Sequence, residues 1–132
     1  MNDVHLILPY PPSVNHYWQS KIIPNKKGRP GQLKIARFLS KRAKQFRVDV
    51  QHCVLEQLGK PPRLQCRLAV IVQQYSGPGL VQDIDNSLKG LFDAMEWVKV
   101  YGDDSQIDEL LVVRKRRAAI ARVEVTLKPL GE

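Results

Sequence analysis

The segment QDIDNSLKGLFDAM, residues 82–95, decides how this sequence is interpreted. Its apolar residues recur at helical spacing and form one stripe: Leu88, Leu91, Phe92 and Met95. The stripe predicts a helix from about Ile84 to Trp97 that packs on a sheet.

The same helix carries an acidic face. Asp85, Lys89 and Asp93 follow one another at four-residue spacing. Asp83 lies in the approach to the helix, where its carboxylate can sit beside that of Asp85. Each residue also has an ordinary structural interpretation. Asp85 could cap the helix, and the Asp85–Lys89–Asp93 series could be a ladder of surface ion pairs.

Acidic residues are concentrated between positions 83 and 109. Eight of the chain's 13 acidic residues fall there, with only two of its 21 lysines and arginines. The eight are Asp83, Asp85, Asp93, Glu96, Asp103, Asp104, Asp108 and Glu109. Asp103 and Asp104 follow Gly102 and could form only a turn. Four aspartates would repel one another if the two segments met, so a divalent cation with oxygen ligands is the simplest explanation of the clustering.

The spacing of the acids excludes a calcium-binding EF-hand loop. Such a loop would need Gly where this chain has Leu88 and Glu where it has Ala94. Carboxylates that leave room for water and phosphate oxygens suit Mg²⁺ better.

The rest of the chain is strongly basic, with 19 basic and 5 acidic residues outside the acidic window. The net charge of +8 and a pI near 9.7 favour a polyanionic partner, with solubility alone as the alternative. Mg²⁺ held by aspartates beneath a basic surface indicates phosphodiester chemistry. Lys89 could donate to a phosphate oxygen or orient water, or it could only balance charge among the acids.

The chain length of 132 residues predicts one domain, residues 1–132. We expect an α+β fold, a mixed sheet with two main helices packed on it. In the first half of the chain we expect a strand over 4–8, an irregular proline-rich segment over 9–18, a basic loop over 21–32 and a helix from the Ser40 cap to about Leu58. A central strand over 64–74 and a break at YSGPGLVQ (75–82) precede the helix described above. The chain closes with strands at roughly Ile107–Arg114 and Ala119–Lys128, which the tight basic turn RKRRAA joins.

Several classes of protein are excluded. No window approaches the roughly 18 apolar residues of a membrane span. The N-terminus lacks the basic segment and cleavage site of a secretory signal. Cys53 and Cys66 are therefore interpreted as reduced thiols in the cytoplasm. The three histidines (His5, His16 and His52) show no metal-binding spacing.

The joint pattern DIDNSLKGLFDAM and DDSQI resembles the RusA-type Holliday-junction resolvases, small endonucleases often carried by phages and prophages. The segments LPYPPSVNHYW (8–18) and SKRAKQFRVDV (40–50) are also similar to that family, so the resemblance spans nearly the whole chain. It implies that the catalytic residues are Asp83, Asp85, Asp104 and Lys89. It also implies that the three aspartates hold the metal together with Asp103, and that Asn15, Asn86 and Asp93 support the site.

The resemblance further implies a homodimer that requires Mg²⁺ or Mn²⁺ and cleaves four-way DNA junctions during recombination and repair. A junction has near two-fold symmetry, and paired nicks require one active site on each subunit. In this interpretation the basic residues contact phosphates. These are Lys26, Lys27, Arg29, Lys41, Arg42, Lys44, Arg47, Arg114, Lys115, Arg116 and Arg117.

Two alternatives remain open. The chain could bind junctions or other branched DNA without cutting them, with structural acids. It could also hydrolyse RNA, or branched DNA other than four-way junctions. Tyr17, Trp18 or Tyr75 could stack at an opened junction, although packing inside the fold is their more ordinary role.

Overall fold

The computed structural model describes residues 2–78 and 83–131. Part of the predicted break at 75–82 lies outside this range. The elements in chain order are β1 (Val4–Pro9), α1 (Val14–Tyr17), β2 (Trp18–Pro24), β3 (Leu33–Leu39), α2 (Lys41–Leu58), β4 (Leu68–Tyr75), α3 (Leu88–Val98), a short 3₁₀ turn (Asp104–Gln106), β5 (Ile107–Arg114) and β6 (Arg122–Pro129). This arrangement is the predicted α+β fold.

The four-stranded sheet is mixed and has the order β1-β6-β4-β5. β4 pairs parallel with β5 and antiparallel with β6, and β1 pairs antiparallel with β6. Residues alternate along β4, so that Leu68, Val70 and Val72 are buried on one face. β4 is therefore central, as predicted, and β5 is an edge strand among the described strands.

Helix α2 follows its sequence pattern closely. The Ser40 hydroxyl accepts from the Ala43 N–H at 3.0 Å and caps the helix. At the other end Gly59 has a φ of 81°, a left-handed conformation that favours glycine. Ala43, Phe46, Val50 and Val54 form the buried face of α2.

Helix α3 begins at Leu88, four residues later than predicted, and Ser87 rather than Asp85 is its N-cap residue. The carbonyls of Ile84 and Asn86 accept hydrogen bonds from the Gln74 side chain and the Val14 N–H, each at 2.8 Å. Because other elements occupy these carbonyls, residues 84–87 form turns instead of helix.

The basic loop predicted over 21–32 is shorter in the structure, because part of that segment belongs to a strand. β2 and β3 pair antiparallel over seven residue pairs, from Trp18–Leu39 to Pro24–Leu33, as a separate two-stranded sheet. Only residues 25–32 connect them. The proline-rich segment is also less irregular than predicted, because α1 forms within it.

The start of the central strand and the connection between the last two strands differ from the prediction. The chain reaches the sheet at Leu68, and Leu64 makes an isolated bridge to Tyr101. The turn predicted between the last two strands is wrong, because β5 and β6 lie on opposite sides of β4. The connecting chain crosses the end of β4, where the Lys115 N–H donates to the Gln74 carbonyl at 2.8 Å.

The described chain contains no helix that is both long and apolar enough to cross a membrane.

Candidate functional site

A buried glutamine holds the acidic turn before α3 in place. Gln74 lies at the end of β4 and is 1% exposed. Its side-chain NH₂ donates to the Ile84 carbonyl at 2.8 Å and to the Ser87 hydroxyl at 3.4 Å. Asp83 and Asp85 stand exposed on this turn. Gln74 was not among the predicted site residues, although a glutamine that ends an otherwise apolar strand was a usable signal.

A group of three carboxylates lies at the opposite end of α3. Glu96, Asp103 and Asp104 each offer one oxygen, and these atoms all lie within 4.8 Å of one another. The Asp104 N–H donates to Glu96 Oε1 at 3.1 Å, which ties the loop to the helix. We call these three residues the acidic cluster. Glu96 was counted among the window's acids but not assigned to the site, because only the fold brings it beside Asp104.

Gln106 determines the shape of the loop that carries Asp103 and Asp104. Its Oε1 accepts from the N–H groups of Gly102 and Asp103, each at 2.9 Å. Its Nε2 donates to the carbonyls of Leu64 and Cys66, each also at 2.9 Å. The glutamine of the DDSQ motif is therefore a positioning residue for the two aspartates.

The electrostatics of the acidic cluster favour negative charge on Asp103. The Ser105 N–H donates to Asp103 Oδ1 at 2.9 Å and holds the pKa of that carboxyl below its usual value. Burial raises the pKa of the nearby Tyr101 phenol, and Asp104 and Glu96 raise it further. Carboxylate oxygens from two elements are ligands that a hard divalent cation prefers.

Asp93 is engaged inside the fold. Arg47 donates to Asp93 Oδ2 through Nε at 3.0 Å and Nη2 at 2.7 Å, and the Tyr17 hydroxyl donates to the same oxygen. The Arg47 guanidinium also lies 5.5 Å from the centre of the Trp97 ring. The predicted Asp85–Lys89–Asp93 ladder does not appear among the ion pairs of the described residues.

The two acidic segments do not meet within one chain. Asp83 and Asp85 precede α3, near the end of β4, whereas Asp103 and Asp104 follow α3 and precede β5. Because β4 and β5 are parallel, α3 runs the length of the sheet between them. Its 11 residues separate the segments by about 15 Å. Among the described residues, Asp104 clusters with Asp103 and Glu96 and not with Asp83 or Asp85. A joint catalytic role for Asp83, Asp85 and Asp104 stays a prediction.

The predicted phosphate contacts occupy three exposed surfaces. These are residues 25–32 (Lys26, Lys27 and Arg29), the start of α2 (Lys41, Arg42 and Lys44), and the last residue of β5 with the chain that follows it (Arg114, Lys115, Arg116 and Arg117). Arg47 differs from them, because it is half-buried and paired with Asp93. Of the two asparagines, Asn15 is exposed on α1 and Asn86 is half-buried in the turn before α3.

The aromatic candidates for stacking have partners inside the fold. Tyr17 is fully buried, as its ordinary role predicted. Arg37 lies 5.6 Å from the Trp18 ring centre, and Arg122 lies 4.0 Å from that of Tyr75.

A cleft of about 430 Å³ lies between the proline-rich segment and α2. Its lining includes Tyr10, Arg42 and Phe46 and none of the acidic residues assigned to the site. The acidic residues assigned to the site therefore lie outside the lining of this cleft.

Comparisons with known proteins converge on one family. A family model described as "Endodeoxyribonuclease RusA" matches residues 9–128. A protein of Enterobacteria phage HK97 named "Crossover junction endodeoxyribonuclease rusA" is 30% identical over 130 residues, which cover 98% of each chain. A protein of the same name from Enterobacteria phage 82 is 26% identical over 135 residues, which cover 99% of this chain and 98% of that protein.

Proposed function

Because the chain belongs to the RusA endodeoxyribonuclease family, we propose that it is a homodimeric, Mg²⁺-dependent endonuclease that resolves four-way DNA junctions by paired nicks. The observation that carries the proposal is the family match, which includes both acidic segments. The names of the two phage relatives support the choice of a crossover junction as the substrate. The proposal also places the protein in the cytoplasm, as a single catalytic domain over residues 1–132.

The residues of the acidic cluster fit Mg²⁺, with Mn²⁺ as a substitute. Glu96, Asp103 and Asp104 supply only carboxylate oxygens, and the N–H groups of Ser105 and Asp104 hold the Asp103 and Glu96 side chains in position. A bound divalent cation supplies electrostatic stabilisation for the charge that develops on the scissile phosphate. Without the cation, the three carboxylates would repel the DNA backbone.

A second copy of the chain completes the catalytic set that the family resemblance implies. Asp83, Asp85 and Lys89 lie near the start of α3, and Asp104 lies beyond its end. If the two-fold axis of a dimer is perpendicular to α3, the α3 helices of the two chains run antiparallel. The turn of one chain then lies beside the acidic cluster of the other, and each dimer has two composite centres. Paired nicks require this number.

β5 is the surface we assign to the dimer contact. It is an edge strand of the described sheet, and Leu110 and Leu111 are 44% and 55% exposed. An unpaired, apolar strand edge is suited to pairing with another strand. Antiparallel pairing of two β5 strands places both α3 helices on the same face and in opposite directions, as the composite centre requires.

Within this centre, Lys89 donates to a non-bridging oxygen of the scissile phosphate. It is exposed at the start of α3, next to the Asp83–Asp85 turn. The exposed cations of the hairpin loop, the start of α2 and the Arg114–Arg117 segment hold the DNA backbone, so they set affinity and salt dependence. Arg47 stabilises the fold instead, through Asp93.

A substrate panel tests the proposed activity. Wild type and Asp85→Asn are incubated with duplex, flap, three-way and four-way DNA and with duplex RNA, in Mg²⁺ or in a chelator. We expect nicking of the four-way junction by wild type in Mg²⁺ alone. Binding without nicking in any metal would favour a junction-binding protein, and preferential cleavage of RNA or flaps would replace the proposed substrate.

Mixing two inactive variants tests the composite centre. A heterodimer of Asp85→Asn and Asp104→Asn chains contains one centre with both substitutions and one with neither. Random exchange of subunits therefore restores about a quarter of the wild-type centres. If each centre lay within one chain, mixing would restore no nicking.

A further inference from the structure

The β2–β3 hairpin extends from the body of the protein as an arm, residues 18–39. Its root is fixed, because the Ser40 N–H donates to the Tyr17 carbonyl at 3.0 Å and Tyr17 is buried against α3. Seven residue pairs extend about 23 Å from this root. A two-stranded hairpin is marginally stable alone, so a partner that covers its exposed faces would stabilise it.

The arm carries most of the protein's net charge. It contains six lysines and arginines and no acidic residue, and so contributes +6 of the net +8. All six are exposed: Lys21, Lys26, Lys27, Arg29, Lys34 and Arg37. Removing the arm's six from the total of 21 leaves 15 basic residues against all 13 acidic ones. The rest of the chain is therefore nearly neutral.

One face of the arm carries an apolar patch, which we define as Ile22, Pro24, Leu33 and Ile35. Ile22 lies opposite Ile35, and Pro24 lies opposite Leu33, so the four side chains share a face. Ile22, Leu33 and Ile35 are 68%, 61% and 73% exposed. The patch lies between Arg37, nearer the root, and the cations of the 25–32 loop.

We propose that the arm inserts Ile22 and Ile35 between base pairs at the branch point of junction DNA, while its cations hold the flanking phosphates. Proteins that kink DNA combine apolar wedges with lysine and arginine in this way. The inference rests on the proposed function for its substrate, but it assigns a distinct task to a part of the chain without catalytic acids.

Insertion at a branch point explains selectivity for structure over sequence. Base pairs at the crossover have lost a stacking neighbour on one side, so an apolar pair separates them with less loss of stacking than in continuous duplex. The cations attract any DNA, whereas the apolar patch distinguishes branched DNA from duplex.

DNA is a better occupant for the arm than a second copy of the chain. Two copies of the arm would each bring six positive charges to their contact with no acidic residue between Asp3 and Asp49 to offset them. Phosphates neutralise these charges on both sides of the apolar patch.

The test uses the full-length protein and an immobile four-way junction with 2-aminopurine beside the branch point, in a chelator so that no nicking is needed. We expect wild type to raise the fluorescence by unstacking the probe. Ile22→Ser/Ile35→Ser abolishes this rise and lowers junction affinity roughly tenfold. Its affinity for duplex is unchanged, because no charge is removed.

The matched control is Ile7→Ser/Leu55→Ser, which changes two residues outside the arm that are 53% and 44% exposed. The control should behave as wild type. A fluorescence rise that persists in the arm variant would overturn the inference. So would a sedimentation experiment in which wild type is a dimer and the arm variant is a monomer, because the patch would then be a contact between chains. A wild-type protein that unstacks the junction but never nicks it would remove the proposed activity and leave the role of the arm in place.

Discussion

Asp93 illustrates, at the scale of single residues, how an acidic side chain in the window serves the fold. One of its oxygens accepts hydrogen bonds from Tyr17 on α1 and Arg47 on α2, so three helices meet at one carboxylate. The side chains of Arg47 and Asp93 are only 18% and 22% exposed. A half-buried charge that loses its partner is costly.

We therefore expect Asp93→Asn to lower the free energy of unfolding by about 2 kcal/mol, measured by urea denaturation. Glu56→Gln, on the exposed side of α2, is the control and should change little. A change in Asp93→Asn no larger than that of the control would show that the three-helix contact contributes nothing.

Two buried tyrosines predict a loss of stability in alkali. Burial raises the pKa of the Tyr17 phenol, as does its hydrogen bond to Asp93, and burial also raises the pKa of Tyr101. The unfolded chain loses these protons above about pH 10, where the folded protein still keeps them. Stability is therefore intact below that pH and falls as the pH rises further. In urea titrations Tyr17→Phe/Tyr101→Phe should show a shallower alkaline decline than wild type, and an identical slope would contradict this account.

Lys89 is expected to act on chemistry and not on binding. Lys89→Met should reduce the nicking rate about 100-fold in Mg²⁺, because a donor to the scissile phosphate is lost. Junction affinity, measured by fluorescence anisotropy, should change little. Lys60→Met, at an exposed position just after α2, serves as the control. Equal losses of affinity and rate in Lys89→Met would instead assign Lys89 to general charge attraction.

At the scale of elements, α3 depends on a close approach to α1. A Cβ at Gly90 would lie 2.8 Å from Tyr17 Cδ1 and 3.4 Å from the Pro12 carbonyl oxygen. We expect Gly90→Ala to destabilise the protein by about 2 kcal/mol, although alanine favours helix. Stability is measured by thermal unfolding. The control is Gly131→Ala, which should be neutral because nothing lies within 4 Å of a Cβ at that position. If Gly90→Ala were more stable than wild type, Tyr17 and Pro12 would accommodate the new methyl group without a loss of stability.

Elements with a local signal were predictable from the sequence. The apolar spacing of α2 is contained in 18 successive residues directly after the Ser40 cap, and the helix runs to Leu58 as predicted. The start of α3 was not predictable in this way, because Gln74 and Val14 reach it from other parts of the chain. The arm was missed because neither of its faces is buried in the core, so its strands lack clear apolar alternation.

The acidic residues proposed for the site could be named from the sequence, but their arrangement in the fold could not. The acidic motifs identified the family, which the comparisons confirm. The separation of Asp85 from Asp104 depends on β4 and β5 being parallel, and strand direction is not contained in either motif. Glu96 joined the acidic cluster for the same reason, since only the crossover brings the end of α3 to the start of β5.

At the scale of the whole molecule, a nearly neutral body carries a cationic arm and an exposed acidic turn. In a chelator, the turn should repel the DNA backbone without compensation. We expect Asp83→Asn/Asp85→Asn to bind the four-way junction several-fold more tightly than wild type at low salt, by anisotropy, and the advantage should shrink as salt screens it. Asp3→Asn is the control. Weaker binding by the double variant would favour a structural role for these acids in DNA recognition.

In the proposed dimer, the opposite placement of the two acidic segments along α3 would make cutting a cooperative property of the population of chains. An isolated polypeptide would hold half of each composite centre. When dimers are scarce, doubling the number of chains would quadruple the number of working centres. A nuclease built in this way would act sharply above a threshold of expression, so its synthesis level alone could decide when branched DNA is cut.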